Sequence, residues 1–322
     1  MAEYMDARRT ANLDAIRQWS ERQGPDGTTA STMGEMELAK REWLSKVMET
    51  MAENTAGVLR ECADTIAEPE PEGDDAACEA LMQRKVAALD GMRERCEDLD
   101  NAKDLHKVGG LVPLILALRN PHAELRWRAA DALGTSVQNN PDCQQWAFEH
   151  GALETLLFLA EHEQEEKPRS KVLYALSCLT RGFAPTLEHF LTHGAGPILK
   201  RALARESVRD RNRALFMLST IWGEAPPAMR AGYWRDVWPE LVACASLHNE
   251  DEVMRETALG VLQTALAAGE EERDAARAAG LDREMEALQA KLRALTGEEA
   301  EWAEEQLRLV GVVLGALAEA AT

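Results

Sequence analysis

The sequence predicts an all-α fold, a solenoid of stacked helical repeats. Three observations carry this: the composition, an apolar pattern returning about every 42 residues, and a second pattern returning in step with it. Ala, Leu, Glu, Arg and Met dominate the 322 residues, and aromatics reach only 5%. A sandwich or barrel would need more aromatic and β-branched residues. The first pattern places apolar residues at i, i+3, i+4 and i+7, one face of a helix. It reads Leu111, Leu114, Ile115, Leu118, then Leu153, Leu156, Leu157, Ala160. It returns as Ala195, Ile198, Leu199, Ala202 and as Trp238, Leu241, Val242, Ala245, at offsets of 42, 42 and 43 residues.

The second pattern is Ala129, Ala132, Leu133; Val172, Ala175, Leu176; Ala214, Met217, Leu218; Ala258, Val261, Leu262. Each trio is preceded by an arginine at the same register: Arg126, Arg169, Arg211, Arg255. A glycine stands before the first helix of three copies (Gly110, Gly151, Gly194), as a tight turn between helices requires. A degenerate fifth copy begins at Gly280 and Leu281 and continues with Met285 and Leu288. One helix pair cannot bury its own stripe, whereas stacked pairs cover one another. A short extra helix before each glycine, such as Cys143 to His150, favours the three-helix armadillo version. The expected fold is therefore an armadillo-like α-solenoid of four clear repeats and a degenerate fifth, with helical caps.

Residues 76–99 (Leu81, Leu89, Met92, Cys96, Leu99) suit the front cap. Thr296 to Glu299 reads as a capping box opening a closing helix through Leu307, Val310, Leu314 and Leu317. Pro and acid together in residues 67–77 mark a solvated linker. That divides the chain into an N-terminal helical module (1–66), anchored by Trp19 and Trp43, and the solenoid (78–322).

The net charge of −20 is uneven. Acids outnumber bases 23 to 12 in residues 1–100 and 13 to 6 in 269–322, but only 20 to 18 in 101–268. Acidic flanks repel phosphate backbones and anionic lipid, so neither nucleic acid nor a membrane is an expected partner. Six scattered cysteines without a Cys-x-x-Cys pair point to reduced thiols. No signal-peptide-like start and no membrane-length apolar run stand out. A cytoplasmic monomer is expected.

Chemistry is sparse. His189 and His193 have a spacing that can hold a metal, but His193 aligns with His150 and belongs to the repeat. Gly109 and Gly110 form a turn outside any phosphate-binding pattern. Glu163, Glu165 and Glu166 read as a solvated loop. No catalytic residues, cofactor or metal are expected, and the chain is not expected to be an enzyme.

Function then falls to a surface. Beside the buried stripe of the second pattern run Arg128, Lys171, Arg213 and Thr257, then Asp131, Tyr174, Phe216 and Gly260. A final row holds Thr135, Cys178, Thr220 and Thr264. A face mixing Arg, Lys, Tyr and Phe has interface character.

One stretch resembles a known family: Asp100-Asn101-Ala102-Lys103-Asp104-Leu105, Gly109-Gly110-Leu111, His122 to Arg126, Ala129-Ala130-Asp131 and Val137-Gln138-Asn139-Asn140-Pro141. It looks like the armadillo-type nucleotide exchange factors of heat shock protein 70 chaperones, the Fes/HspBP family, which are cytosolic. Ile16 to Ser20, Glu42 to Leu44 and Leu292 to Thr296 are similar to the family's opening and closing segments. The resemblance implies binding to the chaperone's nucleotide-binding domain by the concave face, followed by ADP and client release. It implies a partner-binding set of Arg128, Asp131, Gln138, Asn139, Lys171, Tyr174, Arg181, Arg213 and Phe216, with Asn101 and Ala102 before the first repeat. Trp19 and Trp43 would belong to a module assisting client release. The alternative is a generic armadillo adaptor for another partner. Nuclear-import receptors of that kind repeat a Trp-x-x-x-Asn pair, which none of the four inner-face pairs here supplies.

Overall fold

The computed structural model describes residues 54–71, 73, 75–226 and 237–319. By backbone proximity the chain divides into two units, Met1–Val58 and Leu59–Thr322. Of the first, residues 54–58 are described. Trp19 and Trp43, like Tyr233 and Trp234, lie outside the described residues.

The described residues are helical, with no strand among them. Helices α1 (Thr55–Ala67) and α2 (Asp75–Arg95) come first, with the acidic Pro-containing stretch between them. The repeats follow. The first is α3 (Leu99–Lys107), α4 (Leu111–Ala117) and α5 (Ala123–Val137); the second is α6 (Pro141–Glu149), α7 (Ala152–His162) and α8 (Glu166–Thr180). The third comprises α9 (Ala184–His193), α10 (Ala195–Ala204) and α11 (Val208–Glu224). The fourth shows α12 (Trp238–Ala245) and α13 (Glu252–Leu266). The fifth is complete: α14 (Glu270–Ala278), α15 (Leu281–Arg293) and α16 (Glu298–Ala318).

Every residue of the two predicted stripes is buried, none more than 9% exposed. They form one continuous core that also takes in Leu59, Ala63 and Ile66 of α1. Helix α2 packs on α5, and α16 packs on α13. Thus α2 and α16 extend the row of third helices α5, α8, α11 and α13 at both ends.

Local chemistry starts each element. Pro141, at the head of α6, occupies the first turn, where its missing N–H costs nothing. Asp98, Ser207 and Asp251 cap α3, α11 and α13 through side-chain oxygens. The turn before α7 uses Gly151 at φ 75°, the left-handed region that glycine enters freely. The first repeat differs from expectation. There Gly109 takes the positive φ of 79°. Gly110 instead sits so close to Leu105 that an added Cβ would meet its Cδ1 at 2.5 Å.

Three further expectations are corrected. Leu99 is 51% exposed, because it opens α3 instead of closing the front cap. The capping box does not form: Gly297 at φ 67° is the N-cap of α16, without a side-chain cap. Glu163 is not a solvated loop residue. Its side chain is 5% exposed and accepts from Arg126 Nε at 2.7 Å.

That last contact explains the repeated arginine. Arg126 spans to Glu163 in the second repeat, Arg169 Nε to Asp210 in the third at 2.9 Å, and Arg255 Nε to Gln306 in the fifth at 2.7 Å. Each also donates to a carbonyl of its own preceding loop, Asn120, Gln164 and Asn249 respectively. Among the described residues, Arg211 keeps only the loop bond, to Glu206 O at 3.3 Å. The arginine therefore tethers the loop before each third helix, and in three copies it also ties that helix to a later repeat.

Candidate protein-docking face

The third helices lie side by side, so their outward rows make one surface. The residues at its centre are fixed by neighbours on the adjacent helix. Tyr174 of α8 lies against Gly134 of α5, where an added Cβ would meet the ring at 2.6 Å. Its hydroxyl donates to Gln138 Oε1 at 3.1 Å. Burial, with Cys178 alongside, pushes the Tyr174 phenol up to about 12. Arg213 of α11 stands over the Tyr174 ring at 5.0 Å and 6.0 Å from that of Phe216. Phe216 is 39% exposed, with the Arg181 guanidinium 5.1 Å above it. Arg181 also donates to Asn139 Oδ1 at 3.4 Å.

The remaining predicted cations are held internally. Lys171 Nζ donates to Asp131 Oδ1 at 2.7 Å. Arg128 pairs with Asp90 at 2.9 Å and also with Glu124. The structure thus gathers Arg128, Asp131, Gln138, Asn139, Lys171, Tyr174, Arg181, Arg213 and Phe216 along three neighbouring helices. Five of them, Asp131, Lys171, Tyr174, Arg213 and Phe216, line an open groove of about 920 Å³. Its lining includes Arg93, Lys167, Lys171, Arg209 and Arg213 against Asp131 and Glu166.

Asn101 and Ala102 are placed differently. Ala102 is 2% exposed, inside the core, so it offers no surface to a partner. Asn101 Nδ2 donates to Arg95 O at 3.1 Å and ties α3 to the end of α2. The Val-Gln-Asn-Asn-Pro run also has a local cause. Asn139 takes φ 54°, a left-handed conformation that asparagine tolerates. Asn140 is buried and donates to Leu99 O, and Pro141 opens α6. From α6, Gln144 then donates to Cys178 O and Arg181 O, both at 2.9 Å, satisfying carbonyls at the end of α8. This fixes where Arg181 emerges.

Sequence reasoning missed Trp127, Lys167 and Arg209. Lys167 Nζ stands 3.5 Å over the Trp127 ring, and Trp127 donates to Glu124 Oε2 at 2.8 Å. That bond, against opposing burial and with help from Arg128, holds the Glu124 carboxyl below its usual range. A tryptophan between Arg126 and Arg128 was the available signal. His189 and His193 stack at 3.9 Å, and no group of three or more metal-ligating side chains occurs among the described residues.

Comparison with known proteins is consistent with this architecture. Two designed armadillo repeat proteins superpose with TM-scores of 0.63 and 0.64 at 19% and 18% identity. Both alignments cover 80% of this chain and 99% of the designed one. The second was solved in complex with the peptide (KR)4. Human Hsp70-binding protein 1 is 29% identical over 191 residues, 58% of this chain and 53% of that protein. Hsp70 nucleotide exchange factor FES1 of Coccidioides immitis is 35% identical over 109 residues, 34% and 51% of the two chains. Nucleotide exchange factor SIL1 of Rattus norvegicus is 34% identical over 128 residues, 40% and 28%. The chain thus spans about half the length of the curated relatives it matches first. Residues 13–105 match the family described as nucleotide exchange factor Fes1, and residues 101–225 match the SIL1/FES1/HPBP1 C-terminal domain. With both segments in order on one polypeptide, and the second lying on the first three repeats, the chain belongs to the SIL1/FES1/HPBP1 family.

Proposed function

We propose that this protein is a co-chaperone. It binds the nucleotide-binding domain of a heat shock protein 70 chaperone, promotes ADP release and so speeds client release. The observation that carries this reading is the family match over residues 13–225, with relatives named Hsp70-binding protein 1 and Hsp70 nucleotide exchange factor. The docking surface in this reading is the face centred on Tyr174, Arg213 and Phe216. No chemistry is performed on a substrate. The protein prefers the opened chaperone lobe, and a ligand shifts an equilibrium only by its differential affinity for the two states. The coupling is reciprocal, so ADP weakens binding of this protein by the factor by which the protein weakens ADP, roughly 5- to 150-fold for typical couplings.

In this reading the protein works as a cytoplasmic monomer. Residues 1–58, with Trp19 and Trp43, assist client release, whereas Leu59, Ala63 and Ile66 of α1 belong to the solenoid core and not to that module. The adaptor alternative, an extended basic peptide on the same face, is disfavoured because the groove is itself basic. The test is release of fluorescent ADP from purified Hsp70 chaperone. Faster release on adding the protein supports the assignment, and an unchanged rate removes it in favour of an adaptor.

A further inference from the structure

The cations on the docking face fall into two groups. Arg93, Arg128 and Lys171 already have carboxylates: Glu97 for the first, Asp90 and Glu124 for the second, Asp131 for the third. Among the described residues, Lys167, Arg209 and Arg213 pair with no acid. Lys167 and Arg213 are nevertheless held in place, over Trp127 at 3.5 Å and Tyr174 at 5.0 Å. An aromatic face orients a cation without neutralising it, so the positive charge stays directed outward. All three line the central groove, with five basic and two acidic side chains around it. This local excess stands in a chain of net charge −20. The field does not extend along the whole row, since in the fourth repeat the matching positions are Thr257, Gly260 and Thr264.

We propose that the partner surface seated on this groove is acidic, and that Lys167, Arg209 and Arg213 each receive a carboxylate from it. The inference rests on the docking reading above and supplies the chemistry of the partner's surface. A folded protein with a local acidic patch fits better than a polyanion, because the acidic flanks of this chain repel extended phosphate. Prepositioned cations lose little side-chain freedom on contact, and opposite potentials speed encounter.

The experiment measures association of the full chain with purified Hsp70 chaperone by stopped flow, at salt from about 0.03 to 0.5 M. The expected association rate falls at least ~10-fold over that range. The K167Q/R209Q/R213Q variant is expected to associate ~10-fold more slowly at low salt and to converge with wild type at high salt. These side chains make no internal ion pair, so its helical circular dichroism should match wild type. A K200Q/R201Q/R283Q variant, with the same charge change away from the groove, should stay near wild type. If wild type binds and releases ADP with a salt-independent rate equal to that of the groove variant, the acidic-surface inference fails and the exchange function stands. If the chaperone does not bind at low salt, both fail together. Binding of a 20-nucleotide single strand by wild type that the groove variant loses would assign the groove to nucleic acid instead.

Discussion

The Cδ1–Cε1 edge of Tyr174 lies against Gly134 of the neighbouring third helix, with room for no Cβ between them. An alanine at 134 would bring its methyl to 2.6 Å from the ring and 3.2 Å from the Ala175 backbone. Alanine gains up to ~1 kcal/mol of helix propensity, but overpacking costs about 1–3 kcal/mol. The ring can swing away, whereas the Ala175 backbone moves only with α8. Gly134→Ala is therefore expected to lower stability by about 1 kcal/mol in urea unfolding and to displace Tyr174 from Gln138.

Asp210 is fully buried, with Arg169 Nε at 2.9 Å and Arg205 at 3.8 Å. Removing one member of a buried pair leaves an uncompensated charge, at a cost of about 3–5 kcal/mol. Arg169→Met should fall toward that range, softened by Arg205. Arg169→Met combined with Asp210→Leu should recover most of the loss. A double mutant no more stable than R169M would contradict the pairing.

Glu163 supplies a pH signature. Burial pushes its carboxyl up, but the Arg126 hydrogen bond and the backbone amides of Glu165 and Gln164 outweigh this and leave it below its usual range. A carboxyl depressed in the folded state binds fewer protons there than in the unfolded chain. Its stabilisation is present above the unfolded value of about 4.3 and is lost as pH falls through the lower folded value. Thermal melts from pH 7 to 3 should show a shallower acid-side decline for Glu163→Gln than for wild type.

Tyr174 and Phe216 form the aromatic centre of the docking face. Replacing both by Glu would set acids beside Arg213 and Arg181 and oppose the proposed acidic partner. Binding to the chaperone is expected to weaken by at least ~2 kcal/mol, read by titration calorimetry. The same change at exposed Leu116 and Phe158, on second helices, should leave affinity near wild type. Full affinity in a folded Tyr174/Phe216 variant would move the contact elsewhere on the solenoid.

Helix α1 sets where the chain can be shortened. Leu59, Ala63 and Ile66 lie in the continuous core, although they precede the acidic linker. A chain beginning at residue 71 is expected to be less stable than one beginning at residue 54 by about 3 kcal/mol or more, since each fully buried Leu or Ile contributes ~1.5–3 kcal/mol. Paired urea titrations decide this. They also show whether loss of client release in a longer truncation reports on the N-terminal module or on an opened core.

The apolar stripes were readable without a structure because helical periodicity is local: residues 3 and 4 apart share a face whatever lies opposite. Hence Leu114, Leu156, Leu199 and Leu241 are buried as expected, and the two-stripe register placed Tyr174 and Phe216 on one surface. The position of the repeated arginine was equally legible. Its partners were not, because Glu163, Asp210 and Gln306 stand 37, 41 and 51 residues away and enter from a later repeat. The same limit hid the burial of Glu163 and Ala102, the seat of Tyr174 on Gly134, and the Lys167–Trp127 contact. Each depends on how helices distant in the sequence pack on one another, and that is set by the side chains of both partners. The sequence by itself determined a solenoid and the side that carries its polar and aromatic row. Tertiary packing decided which cations of that row are neutralised from within, as Lys171 is by Asp131, and which, like Arg213, keep their charge for a partner.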